Sequence, residues 1–452
     1  MANHRNDDNI YRHIRLLGDA NELKNIVSLR DTPVRDRRSQ PWTARMKGDR
    51  PWGNLSGPTL HSGPSLEHLG QDLMPVADAL QPIYHLLNRA SIEYVAPTSM
   101  HTDIIERGPH YASIPEPIRS YIAKQLPPTG AIPTGAITKH KNRTSITTKF
   151  VLKQSGRSIH VHIHPLESTH DPDEVVRLIW IWLQTLDAIL VGRGSSPSRT
   201  ASCSRELHIY LYLTPLRKMW PSSHMDIEET HVNSGFAFPC SESASGLNHI
   251  YVFREEEWFK VLIHETIHAF GVDFSVASDT VDKDTNEAIR ALDTAFPGVM
   301  AAHNADKNCI CLFEAYTECW AEWIAILFRV HEYGKPTQWK SEFVRHLELE
   351  RRWSMLQASR MRAWYASDPV RMYGAPTPIF AYYILKSILM YHCVAFAAWC
   401  KSHNSHMLVS DPVHIKAFGE FLRDHSLEIP REHTNHGEKL MPESLRMSLW
   451  GD

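Results

Sequence analysis

Residues 258–271 read WFKVLIHETIHAFG and constrain this chain more than any other stretch. On a helix, at about 100° per residue, Phe259, Ile263, Ile267 and Phe270, with Leu262 and Thr266, make one apolar stripe. His264 and His268 lie nearly opposite that stripe, one turn apart on a single face. Two imidazoles so placed can close on one metal ion, and Glu265 beside them can hold a water molecule and take its proton. With 28 histidines in 452 residues, composition alone yields about 0.1 such H-E-x-x-H motifs by chance. Glu255, Glu256 and Glu257 suit the positive end of the helix dipole, and Gly271 suits a stop just past the last turn.

A catalytic zinc takes three protein ligands and keeps one position open. The pattern H-E-x-x-H-x-x-G-x-x-H holds through Gly271 and then fails, because Phe274 stands where the third His would fall and Asp273 is off by one. The third ligand must lie farther along. Residues 312–328 read LFEAYTECWAEWIAILF, with Phe313, Tyr316, Trp320, Ile324 and Leu327 as the apolar stripe of a helix. Glu314 and Glu318 sit opposite, above Ala321 and Ala325, whose small side chains would let this helix approach the first closely. Glu314 would then complete the ligand set, and Glu318 would orient His264 through its other ring nitrogen. Glu287 is nearer in sequence and competes, but Ala291 stands one turn on, where a second carboxylate is wanted. Glu322 reads as a solvated helix residue.

The set His264-Glu265-x-x-His268 followed by Phe313-Glu314-Ala315-Tyr316-Thr317-Glu318 resembles the gluzincin metallopeptidases, the thermolysin and aminopeptidase group. Their glutamate helix often reads N-E-G or E-x-x-x-D. Here Phe313 stands for the Asn, Ala315 for the Gly and Glu318 for the Asp, and the gap from His268 is long for a thermolysin-like chain. The resemblance implies an α+β, zincin-like bilobed fold. A mixed-sheet lobe over residues 76–271 would end in the metal helix, and a mostly helical lobe over 272–452 would carry the third ligand. It implies Zn2+ as cofactor and a peptide or protein substrate, lying extended along an edge strand at Asn233 and Gly235. It also implies a tyrosine from the later lobe that stabilises charge on the carbonyl oxygen. In Ala381-Tyr382-Tyr383-Ile384-Leu385-Lys386 the first choice is Tyr383 and the second Tyr382. The same segments, with VNSG upstream and YYILKS downstream, look like uncharacterised metallopeptidases encoded by large DNA viruses, which implies a viral product carried in the particle. Two other readings stay open. One is a structural or interaction protein with a non-catalytic zinc site, the other a hydrolase of non-peptide amides or esters. A purely structural zinc does not need Glu265 and fills its fourth position with protein.

The rest of the chain bounds these readings. A hydrophobic share of 42% with 13 Trp supplies a core for two or three domains or one large bilobed unit. With a net charge of -3, nothing argues for a nucleic-acid groove, and no nucleic-acid partner is expected. Seven cysteines, an odd number without a C-x-x-C pair, argue against a disulfide framework and for a reducing, intracellular compartment. The N-terminus MANHRNDDN is too polar for a secretory signal. Residues 379–400 are apolar but broken by Lys386 and His392, so they read as a buried helix, not a membrane span. Residues 1–75 read as a polar extension with short helices over 11–27. Helices are expected at 74–90, 118–125, 171–191, 285–295, 313–330, 340–365, 378–400 and 413–425. A hairpin over 144–164 turns at Ser155-Gly156 and puts His160, His162 and His164 on one solvated face, with metal binding there as the alternative. Strands follow at 207–213, 235–238 and 249–253, and the tail from 430 reads as polar and loose.

Overall fold

Alternating side chains pair six strands into one mixed sheet of order β1-β2-β3-β4-β6-β5. These are β1 (His101–Thr102), β2 (Ile146–Val151), β3 (Ser158–Ile163), β4 (Glu206–Thr214), β5 (Gly235–Ala237) and β6 (Leu247–Arg254). The computed structural model describes residues 72–96, 101–102, 107–126, 145–164, 170–191, 203–222, 225–240, 246–275, 279–305, 310–404, 406–426 and 444–449. Most of the expected extension, with its helices over 11–27, lies outside the described residues, as does most of the loop after residue 191. The expected hairpin is β2–β3, antiparallel, with Gly156 at a φ of 72° in the turn. β3, β4 and β6 run parallel, and β5 closes one edge antiparallel to β6, with Gly235 opposite Val252.

One face of the sheet is the main core. Ile159, Val161, Leu207, Ile209, Leu211, Ile250 and Val252 point there, toward α1 (Met74–Ile92) and α3 (Pro172–Val191), which pack on each other. On the other face Tyr210, Tyr212, Tyr251 and Phe253 meet Ile118 and Ile122 of α2 (Glu116–Gln125). That cover corrects the expectation of a solvated histidine face, since His162 and His164 are buried. The sequence before α2 shows a turn and two prolines, which do not announce which face they will close.

Among the described residues all six strands precede α4 (Trp258–Ala269), and everything regular after it is helical. The chain is therefore mixed α/β, and Leu73–Pro430 with Glu443–Asp452 makes one compact unit. The longer or site-bearing later helices are α5 (Asp279–Leu292), α6 (Leu312–Tyr333), α7 (Trp339–Trp364), α8 (Lys386–Tyr391), α9 (Cys393–His403) and α10 (Ile415–Ser426), with two short ones at Val299–Ala305 and Pro369–Tyr373. The single helix expected over 378–400 is broken. A π-turn, Phe380–Leu385, leads into α8, and α9 then bends away from Phe380–Tyr391 by 92° at His392. No single described helix is long and apolar enough to cross a membrane, and this bent pair is buried in the core.

Two further corrections concern tethers. Cys203 and Cys240 form a disulfide with a Cα–Cα separation of 5.3 Å, against the expectation of reduced thiols. It lies against Gly271, whose φ is 63° and whose Cβ, if present, would be 3.1 Å from Cys240 Cβ. The end of α4 is therefore packed on the disulfide. The tail is not loose throughout, because Leu445, Arg446, Met447, Ser448 and Leu449 are buried. This strap is held through its backbone. Tyr383 donates to Leu445 O (2.6 Å), Gln357 to Arg446 O (2.6 Å) and Lys386 to Met447 O (2.7 Å). Its own amides donate to buried carboxylates, Ser448 N to Glu257 (2.6 Å) and Leu449 N to Glu350 (2.9 Å). A strap bound by its main chain shows no strong side-chain pattern, which is why its polar composition misleads.

Ending the chain after residue 443 strips Glu257 and Glu350 of donors inside the core. The expected loss is about 3 kcal/mol or more of unfolding free energy, read as a lower urea midpoint. An unchanged midpoint would show that the strap contributes nothing.

Candidate metal centre

α4 enters from β6 and is buried on all sides, between the sheet and α6, so its polar residues cannot be a solvated face. Glu257 caps it at a left-handed φ of 61° and pairs with Lys218 (2.9 Å). Trp182 of α3 donates to Thr266 Oγ1 (2.7 Å) and fixes its rotation. α6 packs across it, with Ala315 and Ala321 fully buried.

Three ligating atoms meet where the helices cross. His264 Nε2 lies 2.9 Å from His268 Nε2 and 3.0 Å from Glu314 Oε2, and His268 Nε2 lies 3.3 Å from the same oxygen. Zinc–nitrogen bonds near 2.0–2.1 Å put the donors of a tetrahedral ion about 3.3 Å apart, so the triangle suits one ion. The other ring nitrogens are engaged. His264 Nδ1 is 2.9 Å from Glu318 Oε2, and His268 Nδ1 is 2.5 Å from Asp273 Oδ2. Each Nδ1–H donates to a carboxylate, which leaves each Nε2 lone pair facing the others. Three electron-rich atoms so close fit a cation between them, and the donor set of two imidazoles and a carboxylate suits zinc.

The carboxylates are themselves held. Glu318 accepts from Lys260, which also lies 4.0 Å from Glu257. Asp273 accepts from Thr317 (3.2 Å) and from Ser275 Oγ (2.6 Å). Burial works against charge on Glu314, but the imidazoles of His268 and His264 outweigh it and bring its carboxyl down to about 2. Burial raises the Glu265 carboxyl above its usual value, and the two imidazoles only partly offset this. Among the described residues none hydrogen-bonds Glu265, so its oxygens are uncommitted beside the triangle. β5 passes close by. A Cβ on Gly235 would lie 2.8 Å from Val261 Cγ1 and 3.3 Å from Glu265 Cγ, so only glycine lets this edge strand run so near.

The structure thus brings together His264, His268, Glu314, Glu318, Glu265 and Gly235. Glu287 is not among them, since it sits on α5 in a surface pair with Lys416 (2.7 Å). Glu322 is not solvated. It is buried against Lys386 (2.6 Å), and burial pushes its carboxyl to about 8. Asn233 accepts from Thr377 (3.0 Å) just before the edge strand. Tyr383 is buried, with its hydroxyl donated to Leu445 O, and does not face the triangle. Its neighbour Tyr382 does, with its ring 6.2 Å from that of His264. Burial, with Glu314 and Glu265 close by, holds the Tyr382 hydroxyl in its protonated form. Sequence reasoning missed Asp273 as the partner of His268. It was weighed only as a ligand, although a carboxylate just past the helix end is well placed to reach back to the last His.

No protein-family model, curated protein or solved structure matches this chain.

Glu314→Ala and His264→Ala should each strip tightly held zinc from this triangle, measured by mass spectrometry after dialysis. Asp273→Asn, which removes the charge behind His268, should keep the ion but weaken it about 10–100-fold. Tight zinc in Glu314→Ala at the wild-type level would remove Glu314 from the ligand set.

Proposed function

We propose that the protein is a zinc-dependent hydrolase, most simply a gluzincin-type peptidase. The observation that carries this reading is the triangle of His264 Nε2, His268 Nε2 and Glu314 Oε2, with both Nδ1 atoms turned outward onto carboxylates. The element order agrees with a zincin-like arrangement, since a mixed sheet with an antiparallel edge strand leads into the metal helix and helices follow.

A divalent ion held by these three side chains would acidify water and polarise a carbonyl oxygen. The protein's own groups do the rest. Glu265 takes a proton from the attacking water and returns it to the leaving nitrogen. Asp273 and Glu318 hold the imidazoles in one tautomer and one orientation. Tyr382 takes the role first given to Tyr383 and donates to the oxygen that gathers negative charge. An extended peptide lies along β5, whose outer edge carries no further strand among the described residues, next to a cleft lined by Pro115, Glu229, Asn233 and Phe236. A purely structural zinc would have no use for an uncommitted carboxylate at Glu265, which favours the hydrolase reading over an inert site.

Digestion of a peptide library, read by mass spectrometry, should give products that vanish with chelator and return with zinc. Glu265→Gln should retain the metal and lose about 10²–10⁴-fold in rate. Tyr382→Phe should lower kcat by about 10–10³-fold with little change in KM, while Tyr383→Phe should act on stability alone. Wild-type turnover by Glu265→Gln would sink the proposal.

A further inference from the structure

A second group of ligating atoms lies on the other face of the sheet and shares no residue with the first. β3 and β4 are parallel and in register, so His160 stands opposite His208. Alternation puts both side chains on the same face. Their rings stack, with centroids 4.3 Å apart and planes within 2°. Glu206, two residues before His208 on the same face, places Oε1 3.3 Å from His160 Nε2 and 3.3 Å from His208 Nε2. The three ligand atoms all lie within 4.8 Å of one another. α2 closes the far end of this face over the tyrosines. The near end is open, with His160 and His208 side chains 18% and 21% exposed and Glu206 52% exposed.

The far side of His208 is fixed. Its Nδ1 is 3.2 Å from His162 Nε2, and His162 Nδ1 is 3.3 Å from Thr147 Oγ1. A ring nitrogen tied in this way sets which nitrogen the imidazole presents forward, as partners behind metal-bound histidines do. We propose that His160, Glu206 and His208 form a second site, for a divalent transition-metal ion. Two imidazoles and one carboxylate suit zinc, nickel or copper, whereas magnesium and calcium prefer oxygen alone. Parallel rings do not converge on one ion. His160 therefore turns about its Cβ–Cγ bond, which its partial exposure allows, and releases the Ser158 hydroxyl 3.4 Å from its Nε2. Water fills the remaining positions. Lys149 stands opposite His160 on β2 and works against a cation, so this site is the weaker of the two.

The test is calorimetric titration of the chelator-stripped full chain with Zn2+. Wild type is expected to take two ions per chain, one tight and one weaker. The double variant His160→Ala/His208→Ala is expected to keep the tight ion and lose the weaker one, with unchanged circular dichroism. Should that variant fail to fold, Glu206→Gln alone is expected to weaken the second ion at least tenfold without touching the first. His264→Ala/Glu314→Ala gives the converse result. One ion per chain in wild type, with His264→Ala/Glu314→Ala taking none, overturns the second site. So does a weaker ion that survives His160→Ala/His208→Ala or Glu206→Gln intact. A chain that takes only the weaker ion, and loses it with His160 and His208, overturns the zinc hydrolase reading and leaves this site standing.

Discussion

His264 Nε2, His268 Nε2 and Glu314 Oε2 stand 2.9–3.3 Å apart, and at that range their lone pairs repel unless positive charge lies among them. A metal ion bound there would supply that charge. Without one, protons do. Burial disfavours charge on His268, but Asp273 and Glu314 outweigh it and hold its pKa well above the ordinary value. An ion would compete with protons for the same lone pairs, so metal binding here would also be proton release. Much of the helical half of the molecule can be read as the scaffold that keeps these three atoms together.

That scaffold is built largely from buried charge. Glu318 joins His264 to Lys260, Lys260 approaches Glu257, Glu257 pairs with Lys218, and the strap at 444–449 closes the chain through Ser448. Beside this network Glu322, its carboxyl pushed up to about 8 by burial, accepts from Lys386, which ties α6 to α8 and, through Met447 O, to the same strap. Buried ion pairs add little net stability compared with apolar residues of the same volume, but losing one partner costs about 3–5 kcal/mol. Such a network penalises displacement. A shift of α6 relative to α4 would unpair several charges at once, so the crossing that sets the ligand triangle is held in register.

The sheet serves both faces differently. Its aliphatic face builds the core that carries α3 and α4, and its edge strand brings Gly235 under Glu265. Its aromatic face is a row of stacked rings, His160 on His208, His162 on Tyr210 and Tyr210 on Tyr251. The row is apolar and covered at one end, imidazole-rich and open at the other. The same alternation that builds the core produces the polar cluster, because residues two apart share a face.

The H-E-x-x-H helix, the two-glutamate helix and most strands were legible because each rests on local periodicity and on motif spacing. Glu314 was legible over Glu287 because a second carboxylate one turn on marks a ligand that orients its neighbours. Tyr382 and Tyr383 were not separable, since adjacent helical residues differ by about 100° in direction and only packing decides which faces the site. The Cys203–Cys240 bond and the buried strap were hidden because both join segments far apart in sequence. By itself the sequence determined which side chains could ligate and on which helix faces they stand. Tertiary structure alone decided that the faces meet, that Asp273 and Lys260 stand behind the candidate ligands, and that no described residue hydrogen-bonds Glu265. Those outcomes depend on long-range packing and on the cost of burying unpaired charge, and neither has a local signature in the chain.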